Sequence, residues 1–256
     1  MSKQQRKKDR ELKCVQVFKS AFPGFPCGEL LAEEAQERPD VIVADAQGRL
    51  GIEVTCILHE PLKRTESESE AVVDAARIIY EKRNLPNLHL GVFLSAQTQF
   101  NKQNRNIFAT ALADLVGANI PAPNDITEVE NDWGNASAFP FEIRSVLIWR
   151  PPSLTRNCWT VASFGWIREN FVQALQETIA KKEARILGYD TGCDALWLLI
   201  VGENSSPSAF FDPSESTLSH PYVSSFDRVF FLELFQAKAS ELRIAKQGCV
   251  TAPKPT

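Results

Sequence analysis

The segment ERPDVIVADAQGRLGIEVTCI, residues 37–57, constrains the fold of this chain more than any other stretch. Its two apolar arms flank Asp45-Ala-Gln-Gly48, which has the composition of a tight turn, so the segment is predicted to form a β-hairpin. A two-residue or a four-residue loop would place Asp40 directly opposite Glu53. A three-residue loop with a bulge at Gly48 would shift the pairing by one position.

Two acids that face each other across a hairpin need an explanation, because like charges directly opposed in a ladder are destabilising. In the predicted register Thr55 shares the face of Glu53, while Ile52 and Val54 point to the opposite face. Two carboxylates at about 5 Å suit a hard cation such as Mg²⁺, which takes oxygen ligands and keeps some of its waters. The other interpretation is that both acids lie at a solvated edge of the hairpin, and geometry alone leaves both open.

The rest of the chain predicts an α/β fold with a mixed central β-sheet flanked by helices. Helices are predicted over about residues 9–22, 67–83, 105–117 and 167–187. Strands are predicted over about residues 41–44, 50–57, 88–96, 142–150, 158–164, 195–201 and 228–234. The nearly continuous apolar run 88–96 is typical of a strand buried on both faces. Strand, helix and buried strand in this order predict a crossover unit.

A single domain is expected over residues 1–256. Within it, residues 1–12 are basic and expected to fray, and their side chains are interpreted mainly as a solvated end. Residues 118–140, which are polar and lack clear periodicity, are expected to form a surface loop. Residues 247–256 are expected to be a disordered tail.

The composition indicates an ordinary globular protein, with 44% apolar residues, a net charge of −4 and an isoelectric point near 5.6. This acidic balance argues against coating nucleic acid through bulk charge, although a focused basic groove remains compatible with it. The N-terminal segment MSKQQRKKDRELK lacks the apolar core of a secretory signal, and the longest apolar run, residues 195–201, is too short to span a bilayer. Six scattered cysteines without paired spacing favour reduced thiols, so a cytoplasmic protein is predicted.

The hairpin also carries a recognisable motif. Glu37-x-Pro39-Asp40, followed by Glu53-Val-Thr55 at the end of an apolar strand, resembles the core of the PD-(D/E)XK nuclease superfamily. By element order the resemblance covers about residues 9–96, with the later helices and strands as elaboration. It implies a restriction-endonuclease-like core with the element order α-β-β-β-α-β.

The resemblance implies a function as well as a fold. Asp40 and Glu53 would bind Mg²⁺ or Mn²⁺ from adjacent antiparallel strands, and the carbonyl of Val54 would add a ligand. The implied reaction is hydrolysis of phosphodiester bonds in nucleic acid, with DNA expected by analogy alone. No membrane partner is expected, and the oligomeric state is left open.

The superfamily pattern has a lysine two residues after the glutamate, and this chain has Thr55 there. A threonine cannot supply the positive charge that helps to position or deprotonate the attacking water, so a cation must come from elsewhere. Members of the superfamily are known as a class to carry this lysine on other elements. A lysine in an unusual place is therefore expected.

Lys182 is the preferred candidate for this lysine. The predicted helix 167–187 carries an apolar stripe formed by Phe171, Leu175, Ile179 and Ile186. Lys182 falls within the stripe, where a lysine either snorkels past its neighbours or points into a cleft. Lys82 is the competing candidate, although its place near the C-terminal end of a helix is already explained by the helix dipole.

An upstream acid is expected to complete the metal shell, as a glutamate from the first helix region does in the superfamily. Glu37 is the nearest to Asp40 in sequence, and Glu29, Glu33 and Glu34 are alternatives. For each of them the other interpretation is a solvated acidic helix face.

Two functional hypotheses follow. The first is a metal-dependent nuclease in which Asp40, Glu53 and Lys182 carry the catalysis. The second is a catalytically inactive nuclease-like module that serves binding or assembly, and Thr55 together with the acidic isoelectric point supports it. A cation within about 6 Å of both carboxylates would favour the enzyme.

Overall fold

A computed structural model of the chain describes residues 1–31, 39–46, 48–95, 99–101, 103–132, 139–140, 142–162, 167–186, 192–204 and 206–245. The elements in chain order are α1 (Lys3–Ala21), β1 (Glu29–Leu31), β2 (Val41–Asp45), β3 (Gly48–Cys56), α2 (Glu60–Glu81), β4 (His89–Leu94), α3 (Arg105–Ala118), β5 (Ile126–Glu130), β6 (Ile143–Trp149), β7 (Cys158–Ala162), α4 (Val172–Ile186), β8 (Ala195–Gly202), α5 (Glu215–Ser219), β9 (Tyr222–Val223), β10 (Arg228–Glu233), β11 (Lys238–Leu242) and β12 (Ile244–Ala245). The predicted fold class, α/β with a mixed sheet flanked by helices, is confirmed.

Within residues 1–256, the chain divides into two compact units. The first unit, which we call the terminal unit, combines Met1–His59 with Trp166–Thr256, and the second, the inserted unit, is Glu60–Gly165. Each unit has its own sheet and its own buried apolar cluster. The inserted unit therefore interrupts the terminal unit in sequence, between β3 and α4.

The sheet of the terminal unit has six strands in the order β1-β2-β3-β8-β10-β11. β1, β2 and β3 pair antiparallel, whereas β3, β8 and β10 run parallel. A second, two-stranded sheet joins β12 and β9. Parallel neighbours require a crossover connection, and between β3 and β8 it contains α4.

Helices cover both faces of this sheet, which explains why its central strands are apolar on both sides. On one face, Val15 and Phe18 of α1 pack in the same cluster as Ile52 of β3. On the other face, Leu175 and Ile179 of α4 pack in a cluster with residues of β8 and β10. Residues that alternate along β3 consequently face α1 and α4 in turn.

The predicted crossover unit is wrong. The buried strand at 88–96 is β4, and it pairs with β6 and β7 in the inserted unit rather than with β3. The parallel neighbour of β3 is β8, which pairs Glu53 with Leu198. Nearness in sequence suggested the wrong partner, because the inserted unit separates two strands that are adjacent in the sheet.

The inserted unit is a four-stranded sheet in the order β5-β6-β4-β7, with α2 and α3 packed on one face. Leu90 and Val92 of β4 and Val146 and Ile148 of β6 are fully buried in the cluster with these helices. Alternate residues face the other way, and Trp149 keeps 41% of its surface exposed. The α2 and α3 helices thus bury only one face of the sheet.

Several element boundaries differ from the prediction. α1 begins at Lys3 rather than near residue 9, because the hydroxyl of Ser2 accepts a hydrogen bond from the backbone N–H of Gln5 and caps the helix. The predicted surface loop at 118–140 contains strand β5, an exposed edge strand paired with β6. The predicted tail at 247–256 lies outside the described residues.

Candidate active site

Asp40 and Glu53 lie where the hairpin register predicted. β2 and β3 pair Val41 with Ile52 and, at the far end of the hairpin, Asp45 with Gly48. Asp40 directly precedes β2, so the next position of the ladder brings it opposite Glu53. The predicted register is confirmed, and the like-charge opposition that it implies is present.

The turn of the hairpin is held by an aspartate that the sequence did not single out. Oδ2 of Asp194 accepts a hydrogen bond of 2.8 Å from the backbone N–H of Arg49. Gly48 has a φ of 152°, and a Cβ at this residue would lie 2.5 Å from the same Asp194 oxygen. Only glycine fits this turn, which fixes the register of the acids at the other end.

Lys182 lies between the two carboxylates. Its Nζ is 2.8 Å from Oε2 of Glu53 and 3.5 Å from Oδ2 of Asp40. The side chains of the two acids are 7% exposed and that of Lys182 is 15% exposed. Because Ile52 and Val54 pack on the α1 face, Glu53 points to the α4 face, from which Lys182 reaches it.

Backbone hydrogen bonding orients Asp40. Its Oδ2 accepts a hydrogen bond of 2.8 Å from the N–H of Val54, which lies beyond the last pair of β2 with β3. Since the N–H and C=O of one strand residue point to the same side, the carbonyl of Val54 also faces the edge of β3 where Asp40 lies. The Asp40 and Glu53 carboxylates and the Val54 carbonyl therefore belong to neighbouring positions of the hairpin.

The oxygen ligands of this site suit Mg²⁺ or Mn²⁺ better than a metal whose ligands must all come from the protein. Among the described residues, no group of three or more His, Cys, Asp or Glu side chains could hold a metal ion. Mg²⁺ is commonly held by one or two carboxylates together with waters and substrate phosphates. Three acids, Asp40, Glu53 and Glu11, face two cations, Lys182 and Lys7, so the centre retains an attraction for a further cation.

Two residues of α1, Lys7 and Glu11, reach the same centre and were missed in the sequence. Nζ of Lys7 lies 3.1 Å from Oε1 of Glu11 and 4.0 Å from Oδ1 of Asp40. Burial raises the pKa of Glu11 and the charge of Asp40 raises it further, whereas Lys7 and Lys182 act in the opposite direction. Burial lowers the pKa of Lys7, but its hydrogen bond to Glu11 and the nearby carboxylates outweigh this and raise it.

The signal for Glu11 was present in the sequence. Val15, Phe18 and Phe22 are spaced as one apolar face of α1, and Glu11 lies one turn before Val15 on that face. The same reasoning that selected Lys182 within an apolar stripe would have selected Glu11. For Lys7, which is 70% exposed, the spacing by itself gives no comparable signal.

The raised pKa of Glu11 predicts a pH-dependent effect of Glu11→Gln. A folded-state pKa above the unfolded value contributes stability below the unfolded pKa and loses it as pH rises through the folded pKa. Ionised Glu11 therefore costs stability at neutral pH, and Glu11→Gln is expected to raise the unfolding free energy at pH 7. The gain should shrink as the pH falls through the folded-state pKa toward 4.5, and it should be absent at pH values below 4.5. Urea unfolding at both pH values measures it, and an equal effect at both would contradict the assignment.

The charged centre opens into a cleft of about 240 Å³. Its walls come from α1, β3 and α4, and its lining residues are Lys7, Arg10, Glu11, Cys14, Val54, Thr55, Cys56, Lys182 and Arg185. Four of these side chains are basic and one is acidic. The cleft therefore presents mainly cationic and hydroxyl groups beside the carboxylate pair.

The remaining predicted site residues have separate positions. Thr55 is half-buried and lines the cleft, so the residue two positions after Glu53 faces the cleft without a charge. Lys82 is exposed, directly follows α2 and belongs to the inserted unit. Glu29 is exposed on β1, and Glu37, like Glu33 and Glu34, lies outside the described residues.

Comparison of the chain with protein-family models, curated proteins and solved structures finds no match. Within the described ranges, no helix is both long enough and apolar enough to cross a membrane.

Proposed function

We propose that this protein is a Mg²⁺- or Mn²⁺-dependent nuclease that hydrolyses phosphodiester bonds in nucleic acid, with DNA as the favoured substrate. The observation that carries the proposal is the position of Lys182. Its ammonium group lies within 3.5 Å of both carboxylates, although it is 129 residues away from Glu53 in sequence. It supplies, from α4, the positive charge that Thr55 lacks.

The order of elements in the terminal unit supports the proposal. Without the inserted unit, α1, β1, β2, β3, α4 and β8 follow each other as α-β-β-β-α-β, and β8 lies parallel to β3. This is the core order that the resemblance to the PD-(D/E)XK superfamily implies. In the proposal, the helix that carries Lys182 is thus a core element rather than part of a C-terminal elaboration.

The residues of the site have distinct roles in the proposed reaction. Asp40 and Glu53 hold the metal, and the carbonyl of Val54 is positioned to assist. A bound Mg²⁺ would lower the pKa of a coordinated water and offset charge on a phosphoryl oxygen. Lys182 donates hydrogen bonds toward the attacking side and stabilises negative charge that develops there. Glu11 holds Lys7 beside Asp40 through an ion pair.

The inactive module is the competing hypothesis, and it predicts that no protein cation lies beside the two carboxylates. It was supported by the absence of a lysine after Glu53. Lys182 and Lys7 both lie within 4.0 Å of Asp40, which favours the enzyme. The ion pairs alone would also satisfy the two acids, so metal binding is the property that separates the hypotheses.

Asp40→Asn is expected to abolish specific Mn²⁺ binding. The substitution keeps the shape and an oxygen that can accept from Val54, but it removes one of two charges that attract the cation. Calorimetric titration of the metal-free protein with Mn²⁺ measures the loss. Asp9→Asn is the matched control, because Asp9 is an exposed residue of α1 and its substitution changes the net charge equally. Unchanged binding in Asp40→Asn would remove Asp40 from the metal site.

We also propose that the protein is cytoplasmic. Five cysteines of the described residues are free thiols, which a reducing compartment maintains: Cys14, Cys27, Cys56, Cys158 and Cys193.

A further inference from the structure

The cleft beside the carboxylate pair continues along β3 to a second group of polar side chains. Arg10 from α1 and Thr55 and Cys56 from β3 line this end. Strand residues rise by about 3.3 Å, so Cys56 lies roughly 10 Å along β3 from Glu53. This end, which we call the Arg10 end, is a separate position from the proposed metal site.

The guanidinium of Arg10 is fixed at the wall of the cleft. Its Nε donates a hydrogen bond of 2.8 Å to Oε1 of Glu203, and Nη2 donates to the same oxygen. Nη2 also lies 3.3 Å from Sγ of Cys56. Among the described residues these contacts use Nε and Nη2, and a guanidinium has five N–H donors in a rigid fork. Donors of Nη1 are therefore available in a group that is already oriented.

Glu203, which pairs with Arg10, is the acidic group at the Arg10 end. Cys56 adds a half-buried thiol beside the guanidinium. The half-buried Thr55 adds a hydroxyl that can donate to an anion.

Hydrogen-bond donors and size indicate the class of ligand. Lys7, Arg10, Lys182, Arg185 and Glu11 line the cleft. Lys7, Arg10 and Lys182 are paired with acids, so the class of ligand follows from the donors that point into the cleft and not from a net charge. The volume of about 240 Å³ is below the roughly 300–1,000 Å³ typical of pockets for whole small molecules. Arginine forks and hydroxyl donors match the oxygens of a phosphoryl group. The cleft is therefore sized for part of a longer anionic ligand.

We propose that the Arg10 end binds a phosphoryl group, and that this group is the backbone phosphate next to the cleaved one in the same nucleic-acid strand. The inference rests on the proposed nuclease function for the identity of the strand. The Thr55 hydroxyl and the Arg10 fork bind the neighbouring phosphate, while Asp40, Glu53 and Lys182 act on the bond that is cut. The residue that replaces the usual lysine thus has a binding role.

The phosphate site is tested first without metal and without cleavage. Inorganic phosphate is titrated into the full-length protein in EDTA, and binding is followed by calorimetry. Arg10→Gln is expected to weaken phosphate binding about 10- to 100-fold, as for loss of a hydrogen bond to a charged group. Arg6→Gln is the matched control, because Arg6 is an exposed arginine of the same helix. Equal affinities in both variants would overturn the site.

A second variant avoids the loss of the pair between Arg10 and Glu203. Thr55→Val removes the hydroxyl and keeps the branched shape, and it is expected to weaken phosphate binding about 3- to 10-fold. Circular dichroism and a thermal melt confirm that each variant is folded before titration. Unchanged affinity in a folded Thr55→Val variant would overturn the role of Thr55.

A thermodynamic cycle then distinguishes a strand phosphate from a free one. Short oligonucleotides carry one uncharged methylphosphonate linkage at successive positions, and their binding to wild type and to Arg10→Gln is measured in EDTA. The affinity of the wild type should fall about 10-fold or more when one particular linkage is uncharged, and the affinity of Arg10→Gln should change little for the same oligonucleotide. If the loss of affinity from Arg10→Gln and the loss from the methylphosphonate are additive at every linkage, the assignment to a strand phosphate is overturned.

Failure of the inference and failure of the proposed function give different results. If the wild-type protein cuts no nucleic acid with Mn²⁺, the nuclease proposal falls, whereas the phosphate titration still decides the Arg10 end. If the protein cuts but phosphate binding does not depend on Arg10, the nuclease proposal stands and the Arg10 end is overturned.

Discussion

Lys182→Ala is expected to lower the rate of metal-dependent cleavage by about 10²- to 10³-fold, the loss typical of removing one preorganised donor. The ammonium group is nearly buried and lies 2.8 Å from Glu53, so solvent cannot replace its charge at the same position. Thr55 contributes no charge, and Lys7 lies 4.0 Å from Asp40 on an exposed side chain. The rate of cutting of a labelled oligonucleotide at saturating Mn²⁺ measures the effect.

Lys181→Ala is the matched control for this prediction. Lys181 is the preceding residue of α4 and is exposed, so its removal changes the net charge equally without opening the site. Lys182→Ala also leaves Asp40 and Glu53 without their shared cation, and breaking a buried ion pair costs about 3–5 kcal/mol. A thermal melt must therefore show that the variant is folded at the assay temperature. Activity equal to that of Lys181→Ala would exclude Lys182 from the mechanism.

Phe18→Ala is expected to lower the local stability of the terminal unit by about 3–5 kcal/mol. Phe18 is fully buried, and the centroid of its ring lies 4.7 Å from the ring centroid of Phe230 and 5.5 Å from that of Phe22. Truncation removes these contacts and leaves a cavity under α1, the helix that carries Arg10 and Glu11. Hydrogen exchange of backbone amides in β3 and β8 measures the opening free energy directly.

Phe235→Ala makes the same chemical change at an exposed residue and serves as the control. Phe235 keeps 73% of its surface exposed, so its truncation is expected to change stability by less than about 0.5 kcal/mol. If Phe18→Ala were as mild as Phe235→Ala, α1 would not be anchored through this aromatic cluster.

The hairpin and the lysine show what local pattern predicts well. Side chains alternate along a strand and repeat about every 3.6 residues along a helix, so the faces of Glu53 and Lys182 follow from sequence spacing. The tight turn set the register that places Asp40 opposite Glu53. The faces on which these residues lie depend on local backbone geometry, which the spacing of residues in a single sequence indicates.

The pairing of the strands shows what local pattern could not predict. β3 and β4 are separated in sequence only by α2 and short connections, yet they belong to different sheets. Both β4 and β8 are apolar runs with neighbours on each side, so either matched the buried strand that was expected beside β3. Hydrophobic pattern specifies that a strand is buried but not which strand it pairs with.

By itself, the sequence reduced the hairpin to two registers, one of which opposes Asp40 and Glu53, and placed a lysine on the apolar face of a helix, because these features depend on backbone periods of two or 3.6 residues. Only the tertiary structure decided that α4 packs on the face of β3 to which Glu53 points, and that α1 brings Arg10 and Glu11 to the same cleft. The first contact joins Lys182 and Glu53, which are more than a hundred residues apart. The second joins residues of α1 to a cleft that also includes β3 and α4. Such contacts depend on which apolar faces pack against one another, and this packing is determined by the complete fold.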